Sequence, residues 1–336
     1  MKIGFRVDSS YKIGTGHVNR CLTLAETFKK KGINSIFISR VDKGNINKSI
    51  EKSGFKLVKI RKKEKNIFYD YNKTNSYIHK FKLDLIFIDN NFINLLWEKK
   101  ISEHCKIILL TDHLSRKTAC DFLINYHNYK KKNYNKHLIL KKKCVKFYGP
   151  KYSIIKPIKF QKKKNKKIDI FIFMGGVDNN NTTSRLISIL KNKEFYNFRV
   201  KVMIGEKNSK KNLLINSIKN EKNFSYVYGK YKNLYKFFKL SKFVIINAGV
   251  SMYECLAFGN KTLVISQSET HKNILKNYSG TKMINYVENI FKLKKNNLLN
   301  LINKKGNRII QIKKKQFDTK GSLRLANYFS SLKSTI

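Results

Sequence analysis

A glycine-rich loop carrying one histidine follows the first apolar segment of the chain. It comprises residues 6–17 (RVDSSYKIGTGH) and leads into a helical pattern. Gly14 and Gly16 would let the backbone take positive φ and approach a ligand closely. The helix N-terminus behind them would offer free N–H groups and a positive dipole end to a phosphate. The third glycine of the dinucleotide fingerprint is missing, so the loop is not a dinucleotide site, and two glycines alone do not establish phosphate binding.

His17 lies in the first turn of the predicted helix. The helix dipole opposes a positive charge there, which would keep the imidazole neutral and available as a general base. The alternative interpretation is a plain capping or packing residue, and the residues alone do not separate the two. Either Asp8 or Asp112 would orient the ring.

Two small-residue turns follow apolar segments in the second half of the chain. The first is residues 174–178 (MGGVD), and it is either a tight turn or the floor on which a nucleotide lies. The second is residues 247–254 (NAGVSMYE), where we expect a helix to begin with Ser251 as N-cap and to present N–H groups to a phosphate.

Glu254 has two interpretations in the second turn. Its position three residues after Ser251 fits a capping box. Its carboxylate is also the natural acceptor for both hydroxyls of a ribose. Gln267, after the next apolar segment, would lie near enough to bind a sugar or ribose hydroxyl.

The elements that must position these residues alternate between strand and helix patterns. Continuous apolar runs such as residues 85–88 (LIFI) predict strands of a parallel sheet that is buried on both faces. A helix is expected over residues 17–30 and ends at Gly32. The predicted strands are 2–8, 35–40, 56–60, 84–89, 106–112 and 121–126, then 169–174, 199–204, 224–228, 243–247, 262–266 and 282–285.

The length of 336 residues suits two domains. Alternating strands and helices predict two doubly wound α/β domains joined by the basic stretch 162–167, interpreted as a solvated linker. Ligands of such domains bind beyond the carboxyl ends of the strands, which is where the residues singled out above lie.

The formal net charge is +51, from 72 Lys and Arg against 21 Asp and Glu. Such an excess could indicate nucleic-acid or anionic-membrane binding. We favour a codon bias toward Lys, Asn and Ile, because the lysines are spread along the whole chain and no nucleic-acid-binding motif is present. We therefore expect no specific nucleic-acid partner, while the positive field would still attract an anionic nucleotide.

The five cysteines show no paired spacing and are interpreted as reduced, buried small hydrophobes of a cytoplasmic protein. No signal peptide is expected, since the sequence opens directly into a strand pattern. No apolar run reaches the ~20 residues that a membrane span needs. The cysteines are Cys21, Cys105, Cys120, Cys144 and Cys255.

The motifs together resemble the UDP-2,4-diacetamido-2,4,6-trideoxy-β-L-altropyranose hydrolases, which act in the pseudaminic acid pathway. The resemblance runs in order along nearly the whole chain. A more distant similarity is to the glycosyltransferase that adds N-acetylglucosamine to lipid-linked muramyl pentapeptide. The motifs are residues 6–25 with Arg6, Asp8, Gly14, Gly16, His17 and Arg20; residues 149–160 with Gly149, Pro150, Tyr152 and Phe160; residues 174–178 and 247–254; and residues 317–324 with Asp318, Lys320, Gly321 and Arg324.

The resemblance implies a GT-B fold, in which two Rossmann-like doubly wound domains face a central cleft. Residues 1–160 would form the domain with the histidine loop on the sugar side, and residues 168–315 would hold UDP. Residues 316–336 would contain a C-terminal helix that crosses back to the first domain.

The resemblance also implies the reaction. His17 would activate a water that attacks the anomeric carbon of a UDP-sugar, with UDP leaving and without a metal or other cofactor. Helix N-termini and cationic side chains would then neutralise the diphosphate. The implied substrate contacts are Arg6, Asp8, Gly14, Gly16, Arg20, Asp89 and Tyr152, together with Gly175, Gly176, Asp178, Asn247, Gly249, Val250, Ser251, Glu254 and Gln267.

The sequence departs from the family's Asp-His-Tyr run, which reads Asp89-Asn90-Asn91 here. This leaves open which sugar is bound and whether the product belongs to pseudaminic acid or a related nonulosonate. The rival enzyme class is a GT-B glycosyltransferase with a UDP-sugar donor, and the non-enzyme rival is a nucleic-acid-binding protein. We expect a monomer without a transmembrane segment.

Overall fold

The computed structural model describes residues 1–61, 66–113, 116–127, 136–157, 166–229, 234–279, 284–304 and 317–332. The chain divides into two compact units, Met1–Pro157 with Lys320–Ile336, and Ile158–Thr319. Most of the predicted linker 162–167, Phe160 and residues 282–283 of the last predicted strand lie outside the described residues.

The first unit contains a seven-stranded parallel sheet in the order β3-β2-β1-β4-β5-β7-β9. A separate two-stranded sheet pairs β6 with β8. The strands are β1 Lys2–Val7, β2 Asn34–Arg40, β3 Lys56–Ile60, β4 Leu85–Asp89, β5 Lys106–Leu110, β6 Lys117–Thr118, β7 Phe122–Asn125, β8 Leu138–Ile139 and β9 Val145–Tyr148.

Helices flank this sheet in the first unit, and the first of them buries an apolar face that includes Val18, Leu24 and Phe28. Phe5 on β1 lies between Phe37 and Phe87 of the two neighbouring strands, with ring centroids 5.0 Å away from each. The helices are α1 Gly16–Lys29, α2 Asn47–Lys52, α3 Ile67–Phe81 and α4 Leu95–Ser102, with a 3₁₀ turn at Pro150–Tyr152.

The second unit contains a six-stranded parallel sheet in the order β12-β11-β10-β13-β14-β15. Both sheets have the strand order of a doubly wound Rossmann domain. The strands are β10 Ile168–Phe173, β11 Val200–Gly205, β12 Phe224–Gly229, β13 Ser241–Asn247, β14 Lys261–Ile265 and β15 Asn285–Val287. The helices are α5 Thr182–Leu190, α6 Lys211–Ile218, α7 Leu234–Leu240, α8 Val250–Ala257, α9 Glu269–Lys276 and α10 Lys295–Asn303, with 3₁₀ turns at Lys193–Phe195 and Ile290–Lys292.

The last helix, α11 Gly321–Ser331, belongs to the first unit. Gly321 lies so close to the backbone of Ser153 that a Cβ atom there would meet the Ser153 carbonyl oxygen within 2.3 Å. The Ser322 hydroxyl donates to the Ile155 carbonyl across 3.0 Å, and Phe329 packs edge-on against Phe28 of α1.

Every predicted strand overlaps an observed one, the last of them only at Asn285. Most of the predicted apolar runs fill the buried centres of the two sheets. The prediction missed the two-residue strands β6 and β8 and also β9, a half-exposed edge strand with no continuous apolar run. In the part of the chain that the structure describes, no helix is both long enough and apolar enough to span a membrane.

Candidate functional site

Three aspartates mark the carboxyl edge of the first sheet. Asp8 follows β1, Asp89 ends β4 and Asp112 follows β5. The sheet order places these strands side by side, so their side chains meet above one edge. All three carboxylates contact cationic or imidazole side chains rather than each other.

His17 and Arg20 reach Asp89 from α1, where a spacing of three residues puts both on one helix face. The His17 Nδ1 atom lies 2.6 Å from Asp89 Oδ1. Arg20 binds both oxygens of the same carboxylate, with Nε 2.6 Å from Oδ2 and a terminal nitrogen 2.6 Å from Oδ1. The arginine therefore holds the carboxylate in place for the histidine.

The charge on Asp89 decides the tautomer of His17. Burial alone would raise the pKa of Asp89, but Arg20 and then His17 outweigh it and lower the pKa to about 2. The ionised carboxylate can only accept, so Nδ1 of a neutral His17 carries the proton. A terminal nitrogen of Arg20 also lies 3.2 Å from Nδ1, and its hydrogen bond goes to the carboxylate, which is closer and charged. Nε2 then holds the lone pair, and the side chain is 21% exposed.

Arg20 is supported on its other side by Asp112, which the sequence offered as a partner of His17, and by Tyr126, which the sequence did not single out. It donates to the Tyr126 hydroxyl across 2.7 Å and contacts Asp112 across 3.3 Å. Asp112 also contacts Nε2 of His127 across 2.9 Å. Burial opposes ionisation of Asp112, yet Arg20 and His127 hold its pKa well below the usual range. Tyr126 and His127 directly follow the residues of β7, so the expectation that ligands bind beyond the carboxyl ends of the strands would also have found them.

The partner of His17 corrects one expectation. The sequence left Asp8 and Asp112 as candidates to orient the ring, and the structure gives that position to Asp89. Asp8 is instead held by Arg6, whose terminal nitrogens approach its two oxygens at 2.6 and 3.0 Å. Asn90 also donates to Asp8 across 2.7 Å. Asn90, which departs from the family run, thus has a partner within the sheet edge.

Arg6 is fully buried between two carboxylates, those of Asp8 and Asp70. Asp8 additionally accepts the backbone N–H of Arg40 across 2.8 Å. These contacts join β1 to β2 and α3. The expected role of Arg6 and Asp8 in substrate binding stays a prediction.

The two glycines of the loop behave differently from one another. Gly14 has φ +79° and pairs with Ser10 in a narrow turn, as expected. Gly16 begins α1 and does not have a positive φ, so that part of the expectation is wrong. A Cβ atom built on either glycine meets nothing within 4 Å. The space beside the backbone at the start of α1 is therefore open.

The first small-residue turn of the second unit is tightly enclosed by its own domain. Gly175 has φ +94°, and a Cβ atom there would lie 3.1 Å from the Asn247 amide nitrogen. A Cβ atom on Gly205 would meet the carbonyl oxygens of Gly175 and Gly176 within 2.5 Å. The side-chain oxygen of Asn247, at the end of β13, is buried and has no hydrogen-bond partner among the described residues.

Asp178 caps a helix. Its carboxylate accepts the backbone N–H groups of Thr182 and Thr183, each across 3.0 Å, at the start of α5. Gln267 donates its amide to the same carboxylate across 2.6 Å. The side chains of Asp178 and Gln267 therefore hold the turn after β10 against the end of β14.

The second turn begins a helix two residues earlier than predicted. The N-cap of α8 is Gly249, which leaves Val250 and Ser251 inside the first turn, so the expectation of Ser251 as N-cap and of a capping box with Glu254 is wrong. Glu254 is buried and accepts a hydrogen bond from the Tyr235 hydroxyl across 2.8 Å. Tyr235, on α7, has no motif that would have predicted this contact.

Tyr152 lies in the 3₁₀ turn of the first unit and packs edge-on against Phe147, with ring centroids 5.2 Å apart. Phe147 in turn contacts Tyr328 of α11. The structure thus ties Tyr152 to the C-terminal helix, and its expected substrate contact stays a prediction. Among the described ranges, no group of three or more His, Cys, Asp and Glu side chains is arranged to hold a metal ion.

Comparison with known proteins gives two curated relatives. An uncharacterized protein of Methanocaldococcus jannaschii is 28% identical over 290 residues, which cover 83% of this chain and 58% of that protein. The UDP-2,4-diacetamido-2,4,6-trideoxy-β-L-altropyranose hydrolase of Campylobacter jejuni is 29% identical over 199 residues, 56% of this chain and 66% of the hydrolase. The chain thus spans less than two thirds of the length of either relative. No family model matches.

Solved structures match almost the entire chain. MurG of Acinetobacter baumannii has a TM-score of 0.67 at 10% identity, over 98% of this chain and all of that one. A putative UDP-N-acetylglucosamine 2-epimerase of Listeria monocytogenes has a TM-score of 0.64 at 11% identity, over 100% and 97% of the two chains. The glycosyltransferase of kitacinnamycin has a TM-score of 0.70 at 8% identity, over 98% of each chain. These likenesses confirm the GT-B glycosyltransferase-like fold of two Rossmann-like domains.

Proposed function

We propose that this chain hydrolyses a UDP-linked diacetamido-trideoxyhexose, of the kind represented by UDP-2,4-diacetamido-2,4,6-trideoxy-β-L-altropyranose, to the free sugar and UDP. The observation that carries the proposal is the hydrogen bond of 2.6 Å between His17 Nδ1 and a carboxylate that Arg20 keeps ionised. The sequence motifs and the distant likeness to the Campylobacter jejuni hydrolase support the choice of substrate.

In this reaction His17 is the general base. Nε2 takes a proton from water while the water oxygen forms a bond to the anomeric carbon. The bond from that carbon to the UDP oxygen breaks, and UDP leaves with the electron pair. Asp89 then stabilises the imidazolium, because its negative charge lies against Nδ1.

The second unit would hold UDP. The first turn of α8 presents backbone N–H groups behind Gly249, and such a helix start favours a phosphate. Glu254, one turn further on, would accept the ribose hydroxyls. The hydroxyl of Tyr235 already fixes one oxygen of that carboxylate.

The decisive experiment incubates the purified chain with this UDP-sugar in EDTA and follows the products by NMR. Release of both free sugar and UDP is the expected result. His17→Asn should lower turnover by ~10²–10⁴, the scale of a lost general base, while UDP binding is retained. His79→Asn, an exposed position on α3, is the matched control and should keep full turnover.

A wild-type protein that releases no sugar but still binds UDP would contradict the proposed hydrolase activity. It would favour a glycosyltransferase, in which a sugar or lipid hydroxyl replaces water. Wild-type turnover in His17→Asn would show that His17 is not the general base. Glu254→Ala should mainly raise KM if the carboxylate holds the ribose, whereas Glu269→Ala, on the exposed start of α9, should not change it.

A further inference from the structure

Two cysteines of the first unit lie side by side at the edge of its sheet. Cys120 precedes β7 and Cys144 precedes β9, and these strands are paired in parallel from Phe122 and Val145 onward. The two Sγ atoms are 3.8 Å apart. A disulfide has an S–S distance of about 2.0 Å, so the two sulfurs lie in van der Waals contact and must approach each other further to bond.

The backbone on both sides of the pair is fixed. Val145 donates its N–H to the Asp121 carbonyl across 2.9 Å, directly beside both cysteines. Upstream of Cys120, the buried Glu98 accepts the Thr118 hydroxyl across 2.6 Å and the Ala119 N–H across 2.9 Å. The backbone segments that carry the two thiols are therefore held beside each other by these hydrogen bonds.

The other three cysteines have different surroundings. Cys21 contacts the Asp89 carboxylate, Cys105 the Leu83 carbonyl and Cys255 the Thr262 hydroxyl. All three are buried, whereas Cys144 is partly exposed and can meet a small oxidant.

We propose that Cys120 and Cys144 form a disulfide site, which a peroxide oxidises reversibly to link the starts of β7 and β9. The Cys144 thiolate would attack one oxygen of the peroxide, giving a sulfenic acid and hydroxide. The Cys120 sulfur then displaces the hydroxyl group, so that a disulfide and water form. Two electrons pass from the two sulfurs to the peroxide.

The charges around the pair favour Cys144 as the attacking sulfur. The hydrogen bond from Cys120 lowers the pKa of the Cys144 thiol against the opposing effect of burial. Lys146 and Lys141 lower it further, and Asp121 opposes them. The same hydrogen bond and, after it, burial raise the pKa of Cys120, which suits the resolving thiol.

The test oxidises the 336-residue chain with hydrogen peroxide, alkylates the remaining thiols in denaturant and maps the peptides by mass spectrometry. The expected product has lost two of its five free thiols and contains one cross-linked peptide joining Cys120 to Cys144. Dithiothreitol should restore all five. The oxidised protein should also unfold at a higher temperature, since the cross-link constrains the unfolded chain.

Variants identify the order of events. Cys120→Ser should stop at a sulfenic acid on Cys144, which dimedone traps, whereas Cys144→Ser should form neither product. Cys105→Ser is the control and should give the same cross-link as the wild type. Five thiols remaining in oxidised wild type, or a cross-link to another cysteine, would overturn the proposal, and this readout does not depend on how the variants fold.

Discussion

Asp89 accepts a hydrogen bond from His17 across 2.6 Å, although the two residues come from different elements, the end of β4 and the first turn of α1. The carboxylate reaches Nδ1 of the ring, so the Nε2 lone pair is the one available to a substrate. A histidine with a buried carboxylate behind it is better suited to accept a proton than one that only packs or caps a helix.

Asp89→Asn should therefore lower turnover strongly while the fold is retained. The amide can donate to Nδ1, which would place the proton of neutral His17 on Nε2 and remove the base. We expect a loss in kcat of ~10²–10⁴. Asp84→Asn, just before the start of the same strand, is the control, because Asp84 accepts the Lys2 backbone N–H far from the histidine. Equal kcat values in the two variants would contradict the role of Asp89.

The same aspartate should make stability depend on acid. Its pKa falls from 3.8 to about 2 in the folded protein, because Arg20 and His17 outweigh the effect of burial. The stabilisation is thus complete above the unfolded pKa and is lost as the pH falls toward about 2, and it amounts to about 2 kcal/mol. Urea unfolding at about pH 5 and about pH 2 measures the drop in the free energy of unfolding between the two pH values. This drop should be larger in the wild type than in Asp89→Asn. An identical decline in both proteins would show that Asp89 is not its source.

The sequence predicted both sheets because continuous apolar runs are typical of strands that are buried on both faces. It also predicted which residues lie at the strand ends, including Asp89. It did not predict that Asp89 rather than Asp8 or Asp112 faces His17. That choice depends on Arg20, which binds both oxygens of one carboxylate and leaves Asp8 to Arg6.

Helix caps in the second unit were harder to assign, for a local reason. Ser251 and Glu254 have the spacing of a capping box, yet the helix begins after Gly249. The small turn behind β13 allows two more helical residues than the serine pattern suggests. Tyr235 lies on another helix than Glu254. A contact between two segments distant in sequence cannot be predicted from the residue spacing within either segment.

Arg20→Lys should loosen the positioning of the Asp89 carboxylate without removing the positive charge beside it. The planar guanidinium binds both oxygens of Asp89 and also the Tyr126 hydroxyl, a geometry that an ammonium group does not reproduce. We expect kcat to fall by roughly 10-fold to 100-fold, the effect of losing a partner that orients a functional histidine. Arg199→Lys, in an exposed pair with Asp169, should leave kcat unchanged. A normal kcat in Arg20→Lys would show that the bidentate contact does not position Asp89.

Asp178 has two possible roles. The family resemblance assigns it to the substrate, and the structure shows that it caps α5. It has φ +51° and accepts two backbone N–H groups, so alanine would lose both the acceptor and a side chain that tolerates this conformation. Asp178→Ala should lower the free energy of unfolding by about 1–2 kcal/mol. Asp178→Asn tolerates positive φ and keeps one acceptor oxygen, but its amide nitrogen cannot accept the second backbone N–H, so it should lose less stability than alanine and keep a KM near that of the wild type. If Asp178→Asn raises KM as much as Asp178→Ala although it unfolds at a higher urea concentration, the carboxylate contacts substrate as well as the helix. Urea unfolding and initial-rate kinetics on the two variants separate these outcomes, because a cap is measured by stability and a ligand contact by KM.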